Sequence, residues 1–167
     1  ELALSRSKPL MLETGGRDLP QASVKQSATH HEQNVLRLVA WSASAATPEN
    51  QAVNLVSGDT ELAPWLTATV HSPVTLDFRV RPGIELQGVL LDASSVPPDV
   101  RPAAAELILA SNEQMGYARS VWGGTLDFFG HDQVQLNFGR TRPAVIRLVL
   151  HPSTASQISL KRVKPVR

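Results

Sequence analysis

Acidic side chains that could act as a catalytic pair or bind a cation occur close together in one stretch, NLVSGDTELAPW, at residues 54–65. Asp59 and Glu61 are two positions apart and directly follow the turn signal Ser57-Gly58. Neighbouring carboxylates can exchange protons or bind a metal ion. Acidic residues at tight turns also commonly accept hydrogen bonds from nearby backbone N–H groups. Turn statistics favour this structural role over catalysis.

The histidines could bind a metal ion only if two of them shared one face of a helix or strand. The chain contains His30, His31, His71, His131 and His151. Side chains of adjacent residues point in different directions on either kind of element, and no H-E-x-x-H spacing occurs. The G-x-S-x-G, G-x-G-x-x-G and P-loop patterns are absent as well. We therefore expect no catalytic residue and no metal site, and the chain is predicted not to be an enzyme.

Residue types that commonly contact sugars are concentrated in GYARSVWGGTLDFFGHD, at residues 116–132. The candidate ligand-binding residues are Trp122, Arg119, Phe129 and His131. Aromatic rings can stack on the C–H faces of a sugar, and Arg or His side chains can hydrogen-bond its hydroxyls. The Gly pair after Trp122 indicates a loop, and loops on a rigid scaffold are common binding sites. The alternative is that the aromatic rings of this segment pack in the core.

The elements that position these candidates are predicted to be β-strands. In PVTLDFRVRP, residues 73–82, every second side chain is apolar, and the same alternation occurs in AAELILAS, QVQLNF and AVIRLVLHP. A period of two is typical of strands with one buried face. Segments rich in Pro and Gly separate the runs, and no helical period extends over ten residues. The predicted fold class is all-β, an antiparallel β-sandwich.

The alternation changes phase at one glycine. In IELQGVLLDAS, Ile84 and Leu86 are in phase with each other, whereas Val89 and Leu91 are out of phase with them. Gly88 lies at the change. A β-bulge at this position would return all four side chains to the buried face.

The first thirty-odd residues give a weaker signal. Residues 1–34 are largely polar and contain a Gly-Gly pair, which indicates either a lead-in or a long loop that belongs to the sandwich. A strand is predicted over Val35–Ser42, with a buried face formed by Leu36, Leu38 and Ala40.

Composition excludes several classes of protein. A chain of 167 residues fits one domain, and its formal net charge of +1 lacks the basic excess expected of a nucleic-acid-binding protein. No apolar run is long enough to predict a membrane span. The absence of cysteine excludes disulfides and thiolate chemistry, so stability must come from packing.

Seven segments carry a family resemblance through their order along the chain: WSASA at 41–45, QAVNLVSGDTELAPW at 51–65, PVTLDFRV at 73–80, IELQGVLL at 84–91, ELILASNEQMGY at 106–117, AVIRLVL at 144–150 and QISLKRVKPV at 157–166. Together they resemble the discoidin family, also called the coagulation factor V/VIII type C domains. The resemblance implies a galactose-binding-like jelly roll over residues 35–167. It also implies that Trp65 and Tyr117 are core aromatics.

Two departures from the family pattern concern calcium. Ser57 replaces the Asp of the usual D-G pair, and Lys161 or Arg162 replaces a Glu near the last strand. Calcium requires six to eight oxygen ligands, carboxylates among them. Although Asn54 and Asp59 remain as oxygen donors, these losses argue against a structural calcium ion, and we expect no cofactor.

The resemblance implies a non-catalytic binding module, with a glycan or polysaccharide contacted by loops at one end of the sandwich. It also implies an extracytoplasmic location: periplasmic, secreted or cell-surface. The alternative is a protein–protein interaction or assembly domain without a sugar site. A concave pocket with polar groups near Trp122 would favour a sugar, whereas a flat apolar patch would favour a protein. The basic C-terminal run KRVKPVR could contact an anionic lipid or an acidic glycan, but the favoured interpretation is a solvated strand face or linker.

Overall fold

The computed structural model describes residues 35–42, 53–57, 62–67, 72–128, 130–154 and 156–167. The predicted lead-in at residues 1–34 lies outside these ranges. The acid pair Asp59 and Glu61 and the candidate ligand residue Phe129 also lie outside them.

Ten strands and two short 3₁₀ helices account for the regular structure of the described residues. The strands are β1 (Leu36–Trp41), β2 (Trp65–Leu66), β3 (Val74–Val80), β4 (Leu86–Asp92), β5 (Ala104–Ala110), β6 (Arg119–Thr125), β7 (Gln133–Thr141), β8 (Val145–His151), β9 (Ser159–Leu160) and β10 (Arg162–Val166). The 3₁₀ helices are η1 (Asn54–Val56) and η2 (Pro98–Val100).

The strands form two main sheets in which all pairings are antiparallel. The larger sheet has the order β1-β3-β8-β5-β6, and the smaller has the order β10-β4-β7. A short pair, β9-β2, completes the described pairings. Because sequence neighbours rarely pair, most connections cross between sheets, as in a jelly roll.

One hydrophobic core joins the two sheets. Phe78 and Leu148 of the larger sheet and Leu91 and Leu136 of the smaller sheet belong to the same buried cluster. Trp65 is fully buried in it. The predicted antiparallel β-sandwich and the predicted core position of Trp65 are therefore confirmed.

The predicted irregularity at Gly88 is also confirmed. The register between β4 and β7 shifts between Leu86 and Gly88, and both Leu86 and Val89 are buried in the core. Leu86 is paired with Thr141 and Gly88 with Asn137, so the additional residues lie on β7. A Cβ atom at Gly88 would lie 2.6 Å from the carbonyl oxygen of Leu136. Only glycine fits this close approach of the two backbones.

The predicted buried face of β1 is wrong at Ala40, which is exposed. Leu36 and Leu38 are buried as expected, but the register with β3 shifts between Leu38 and Ala40. The extra residue, Val39, turns Ala40 to the outer face and Trp41 towards the core.

The basic C-terminal run is strand rather than linker, and the interpretation as a solvated face fails at Arg162. This side chain begins β10 and is only 8% exposed. It pairs in register with Asp92, which is buried at the end of β4. Burial raises the pKa of Asp92, but hydrogen bonds from Ser94 and the charges of Lys164 and Arg162 outweigh it and lower the pKa below its ordinary value.

Candidate functional site

The segment that carries the candidate ligand residues is a strand through most of its length. Trp122 lies within β6, at the edge of the larger sheet, and pairs with the core residue Leu107. Its side chain is half-buried and packs against the hydrophobic core. The predicted loop around Trp122 is therefore wrong, because the following Gly pair continues the strand.

Tyr117 is not a core aromatic, contrary to what the family resemblance implied. Its side chain is 91% exposed, and its backbone φ of 52° lies in the left-handed region. Tyr117 belongs to the turn between β5 and β6 rather than to a strand. The pairing of β6 with β5 begins at Arg119, two residues after Tyr117.

Arg119 and His131 are not brought together. Arg119 begins β6 and borders a cavity with Ser111 and Arg142. The strand then extends for roughly 20 Å to Thr125. His131 lies beyond that far end, in the connection from β6 to β7, and lines a different cavity. The three candidates that the structure describes are therefore separated. His131 lines one cavity, Arg119 lines the other, and Trp122 lines neither of the two.

The cavity that His131 lines has a volume of about 510 Å³. It lies where the connection between β6 and β7 meets the connection between η2 and β5, at one end of the sandwich. Its apolar lining includes Pro98, Pro102, Ala103, Leu126 and Phe128. Its polar lining consists of Arg101, His131, Asp132 and Ser153. The cavity therefore combines an apolar wall with a few polar groups, as small-molecule sites commonly do.

Arg101 holds the two connections together. Its Nε donates to the carbonyl oxygen of Val96 at 3.0 Å, and its Nη1 donates to that of His131 at 3.1 Å. Its Nη2 donates to Oδ1 of Asp132 at 3.1 Å. The guanidinium carbon also lies 5.7 Å from the ring centroid of Phe128, within the range of a cation–π contact. The cavity wall is thus built on one partly buried arginine with four partners.

Backbone hydrogen bonds fix the same connections. The Ala93 N–H donates to the Asp132 carbonyl at 2.7 Å, and the Leu126 N–H donates to the Ala103 carbonyl at 2.9 Å. The His131 N–H closes a turn onto the Phe128 carbonyl at 2.9 Å. Because the backbone is held on both sides of the cavity, the side chains of His131 and Asp132 project from a fixed frame.

The polar side chains that line the cavity can form further hydrogen bonds to a molecule outside the protein. The Asp132 side chain is 63% exposed, and a carboxylate can accept several bonds besides the one from Arg101. His131 is exposed and its imidazole can donate and accept. The ring of Phe128 is largely covered, so it contributes apolar wall rather than an open stacking surface.

Sequence reasoning missed Arg101 and Asp132 as site residues. Arg101 lies in SSVPPDVRP, one of the Pro-rich segments that separate the predicted strands, thirty-one positions before Asp132. An arginine between a 3₁₀ helix and a proline is a weak signal by itself. The folded chain is needed to place it beside the end of the 116–132 segment.

The described part of the chain contains no group of three or more His, Asp or Glu side chains that could hold a metal ion. Asn54, one of the remaining oxygen donors, lies in η1, whereas Asp59 is outside the described ranges. No helix within the described ranges is long and apolar enough to cross a bilayer.

Comparison with solved structures decides the fold. CpGH89CBM32-5 from Clostridium perfringens, in complex with GalNAc-β-1,3-galactose, superposes with a TM-score of 0.66 at 16% identity, covering 81% of this chain and 98% of that chain. The family 32 module of NanJ from the same organism, in complex with galactose, gives 0.63 at 13% identity, covering 80% and 95%. The fold is that of the discoidin-like jelly rolls.

A third discoidin-like jelly roll extends the range of bound sugars. Chitosan-binding module 2 from Paenibacillus sp. IK-5, in complex with chitotriose, has a TM-score of 0.60 at 16% identity and covers 77% of this chain and 95% of that chain. No protein-family model matches the sequence, and a search of curated proteins finds no match. The sequence is therefore divergent, while its backbone keeps the arrangement of the discoidin-like fold.

Proposed function

We propose that this chain is a non-catalytic glycan-binding module whose ligand occupies the cavity lined by Arg101, His131 and Asp132. The observation that carries the proposal is the cavity itself: polar groups converge over an apolar wall at one end of the sandwich. Three solved structures of the same fold are carbohydrate-binding modules in complex with sugars, which supports a sugar as the ligand class.

The chemistry of the cavity suits a sugar. Sugar hydroxyls both donate and accept hydrogen bonds, and they find an acceptor in the exposed Asp132 carboxylate and a donor or acceptor in His131. The C–H groups of the sugar ring would contact the apolar side of the cavity formed by Leu126, Phe128 and Pro102. Such a shallow site at the surface gives modest affinity, because ordering and desolvation offset much of the contact energy.

A protein-interaction domain without a sugar site is the alternative. The distinguishing property is the shape of the ligand surface, since a protein partner generally buries a broad apolar patch. Trp122, expected to mark that surface, is half-buried against the core. The concave, partly polar cavity next to the end of its strand favours a sugar instead. We also propose an extracytoplasmic location, because polysaccharide ligands of such modules lie outside the cytoplasm.

Calorimetric titration tests the proposal directly. We expect the wild-type chain to bind at least one of galactose, GalNAc-β-1,3-galactose and chitotriose. Asp132→Ala is expected to weaken that binding about tenfold, since it removes a charged hydrogen-bond acceptor. His131→Ala is expected to weaken it by a similar factor. Heat is a better signal than intrinsic fluorescence, because none of the three tryptophans lines the cavity.

The matched control is Glu85→Ala. Glu85 is an exposed carboxylate just before β4 and lines none of the three cavities described in this chain. Its removal changes the net charge as Asp132→Ala does, and should leave glycan affinity unchanged. If both cavity variants bind the sugar as tightly as the wild type, the proposed location is wrong. If no glycan binds the wild type, the proposed function is wrong.

A further inference from the structure

The opposite end of the sandwich carries an accumulation of arginines that the proposed glycan site does not use. Strand β8 runs from one end of the sandwich to the other. The carbonyl oxygen of its last residue, His151, accepts a hydrogen bond from the N–H of Ala103 beside the glycan cavity. Its first residue, Val145, pairs with Arg79. Six residue steps along a strand span roughly 20 Å. Two further cavities lie at the Val145 end, lined by five arginines: Arg37, Arg79, Arg81, Arg119 and Arg142.

Three of the four residues that line the first of these cavities are arginines. It has a volume of about 360 Å³ and is bordered by Arg37, Arg79, Arg81 and Pro82. Arg37 and Arg79 are directly opposite each other on β1 and β3. Like charges at opposed positions repel each other. An anion between them would relieve that repulsion.

Among the described residues, Glu113 contacts this cluster through Arg79. Glu113 lies 2.7 Å from Nε of Arg79 and accepts a hydrogen bond from its Nη2 at 2.8 Å. Both side chains of this pair are substantially exposed, so the pair is screened by water. Arg37, whose side chain is exposed, adds a positive charge to the same cavity beside that pair.

The second cavity adds an aromatic ring to the arginines. It has a volume of about 260 Å³ and its lining includes Ser111, Tyr117, Arg119 and Arg142. Tyr117, the only tyrosine of the chain, is almost fully exposed. An exposed ring next to guanidinium groups can stack on a sugar while the arginines bind its acidic substituents.

The turn that presents Tyr117 is held by local hydrogen bonds. Oδ1 of Asn112 accepts from the N–H groups of Gln114 and Gly116, at 3.0 and 2.8 Å. The Ser111 N–H and hydroxyl both donate to the Gly116 carbonyl. Tyr117 follows with a φ of 52°, which is uncommon for a residue with a side chain. This built turn fixes the ring at the surface instead of letting it fold onto the core.

The two cavities are neighbours. Val145 of β8 pairs with Arg79 on one side and with Ala110 on the other. Arg79 lines the first cavity and Ala110 lines the second. Adjacent strands are about 4.8 Å apart, so these two residues lie about 10 Å apart across three strands. A single elongated ligand can reach both cavities.

We infer that this end of the sandwich is a second ligand site, which binds an acidic polysaccharide through its carboxylate or sulfate groups. Arginine binds such groups with paired N–H donors, and its charge does not titrate at physiological pH. Alternating acidic groups along the polymer would meet the first cavity and then the second, with one sugar ring on Tyr117. This site is separate from the proposed glycan cavity and does not depend on it.

A polymer of sugars fits these residues better than a membrane or a nucleic acid. Of the exposed large apolar side chains among the described residues, Val39, Val53, Leu66 and Tyr117, only Tyr117 lines either cavity, so there is little apolar surface to enter a bilayer. The guanidinium groups line concave cavities of limited size rather than a long stripe of charge along which a nucleic-acid backbone would lie.

Affinity electrophoresis and calorimetry with the full chain test the inference. The probes are polygalacturonate, which is carboxylated, dextran sulfate and neutral dextran. We expect one or both acidic polymers to bind and neutral dextran not to bind. Arg37→Gln and Arg142→Gln, each an exposed arginine in a different cavity, should each weaken binding about tenfold. Tyr117→Ser should weaken binding to both acidic polymers.

The matched control is Arg140→Gln, which removes an exposed arginine that lines neither cavity. It should change affinity less than twofold. Equal loss with Arg140→Gln would show that net charge alone holds the polymer and would overturn the site. Binding of phosphatidylserine vesicles or of a DNA duplex, without binding of either acidic polymer, would overturn the ligand class.

Neutral-sugar titrations separate this inference from the proposed glycan site. The Arg37→Gln and Arg142→Gln variants should bind neutral sugars as the wild type does. Conversely, Asp132→Ala should bind the acidic polymer normally. If Asp132→Ala abolishes acidic-polymer binding while Arg142→Gln leaves it intact, the polymer occupies the proposed glycan cavity and the arginine site does not exist.

Discussion

Arg101 and Asp132, thirty-one residues apart in sequence, are joined by a 3.1 Å contact between Nη2 and Oδ1 in the lining of the cavity that also includes His131. The arginine side chain is only 14% exposed, whereas the aspartate side chain is 63% exposed. The buried partner is therefore fixed by the fold, and it orients an acceptor that faces solvent. In the proposed glycan site, this asymmetry makes Arg101 a positioning residue and Asp132 the residue expected to contact the ligand.

Arg101→Lys is expected to weaken glycan binding about tenfold and to cost about 1–3 kcal/mol in unfolding free energy. A lysine ammonium cannot reproduce the fork that reaches Val96, His131 and Asp132 together. Calorimetry and chemical denaturation measure the two effects. Arg140→Lys, on an exposed position outside the cavity, is the control. An Arg101→Lys variant with wild-type affinity would show that the connections do not need this residue to hold their geometry.

Gly88→Ala is expected to lower the unfolding free energy by about 1–3 kcal/mol. The added Cβ would lie 2.6 Å from the Leu136 carbonyl oxygen, and a backbone atom cannot move aside as a flexible side chain can. Gly123→Ala is the matched control in β6, because a Cβ atom there meets nothing within 4 Å. Urea denaturation of both variants checks this. Equal stability of the two variants would contradict the proposed close approach of β4 and β7.

Trp122→Ala is expected to destabilise the domain by about 1–3 kcal/mol while leaving glycan affinity unchanged. The side chain packs against the core and lines none of the cavities described in this chain. Tyr117→Ala, at a 91% exposed ring, should leave stability within about 0.5 kcal/mol of wild type. Thermal unfolding and calorimetry together decide the matter. Loss of glycan binding at wild-type stability would restore Trp122 as a ligand contact.

Asp92→Asn is expected to reduce the dependence of stability on acid pH. The folded-state pKa of Asp92 lies below the ordinary 3.8, so its contribution is fully present above about 3.8 and is lost as pH falls through the folded value. The variant lacks this titration, although near neutral pH it should cost about 1–3 kcal/mol beside Arg162. Urea denaturation at pH values from 7 down to about 2, a range that extends below the ordinary pKa of 3.8, measures the difference. If the unfolding free energies of the two proteins changed with pH in parallel, the expected contribution of Asp92 would be refuted.

Chelation is expected to leave stability unchanged. Ser57 and the Lys161-Arg162 pair stand where the resembling family has acids, and Arg162 is buried beside Asp92. The positive charge of the Arg162 guanidinium group already lies beside Asp92, where a calcium ion would have to compete with it. The unfolding midpoint should therefore be the same in EDTA and in millimolar calcium. A rise in the midpoint with calcium that EDTA reverses would demonstrate a bound ion.

The architecture could be predicted because alternation is a local property of the sequence. Leu76, Phe78 and Val80 identify their strand without knowledge of any partner, and a single shift of phase identified Gly88. Ala40 was misplaced because its bulge depends on how β1 pairs with β3. The same limit applies to Tyr117, whose expected core position came from a resemblance and not from its own neighbours.

The candidate site was less predictable, because it depends on contacts between distant segments. His131 was found from its residue type, but Arg101 could be recognised only through its bonds to a connection thirty residues later. Strand β6 separates Arg119 from His131, so their nearness in sequence was misleading. At the other end, Arg37 and Arg79 lie on outward positions of β1 and β3, where alternation predicts that a side chain is exposed but not which side chains lie beside it.

The placement of the glycan cavity and the arginine cavities at opposite ends of the sandwich has a consequence for retention on a polymer network. The two proposed sites lie at opposite ends, so they would not both engage one short chain segment, but each would hold a different strand of the matrix. A molecule held in this way is bivalent, and release of one end leaves the other in place to favour rebinding. Mixtures of neutral and acidic polysaccharide would then be cross-linked by the protein, and the viscosity of the mixture would rise.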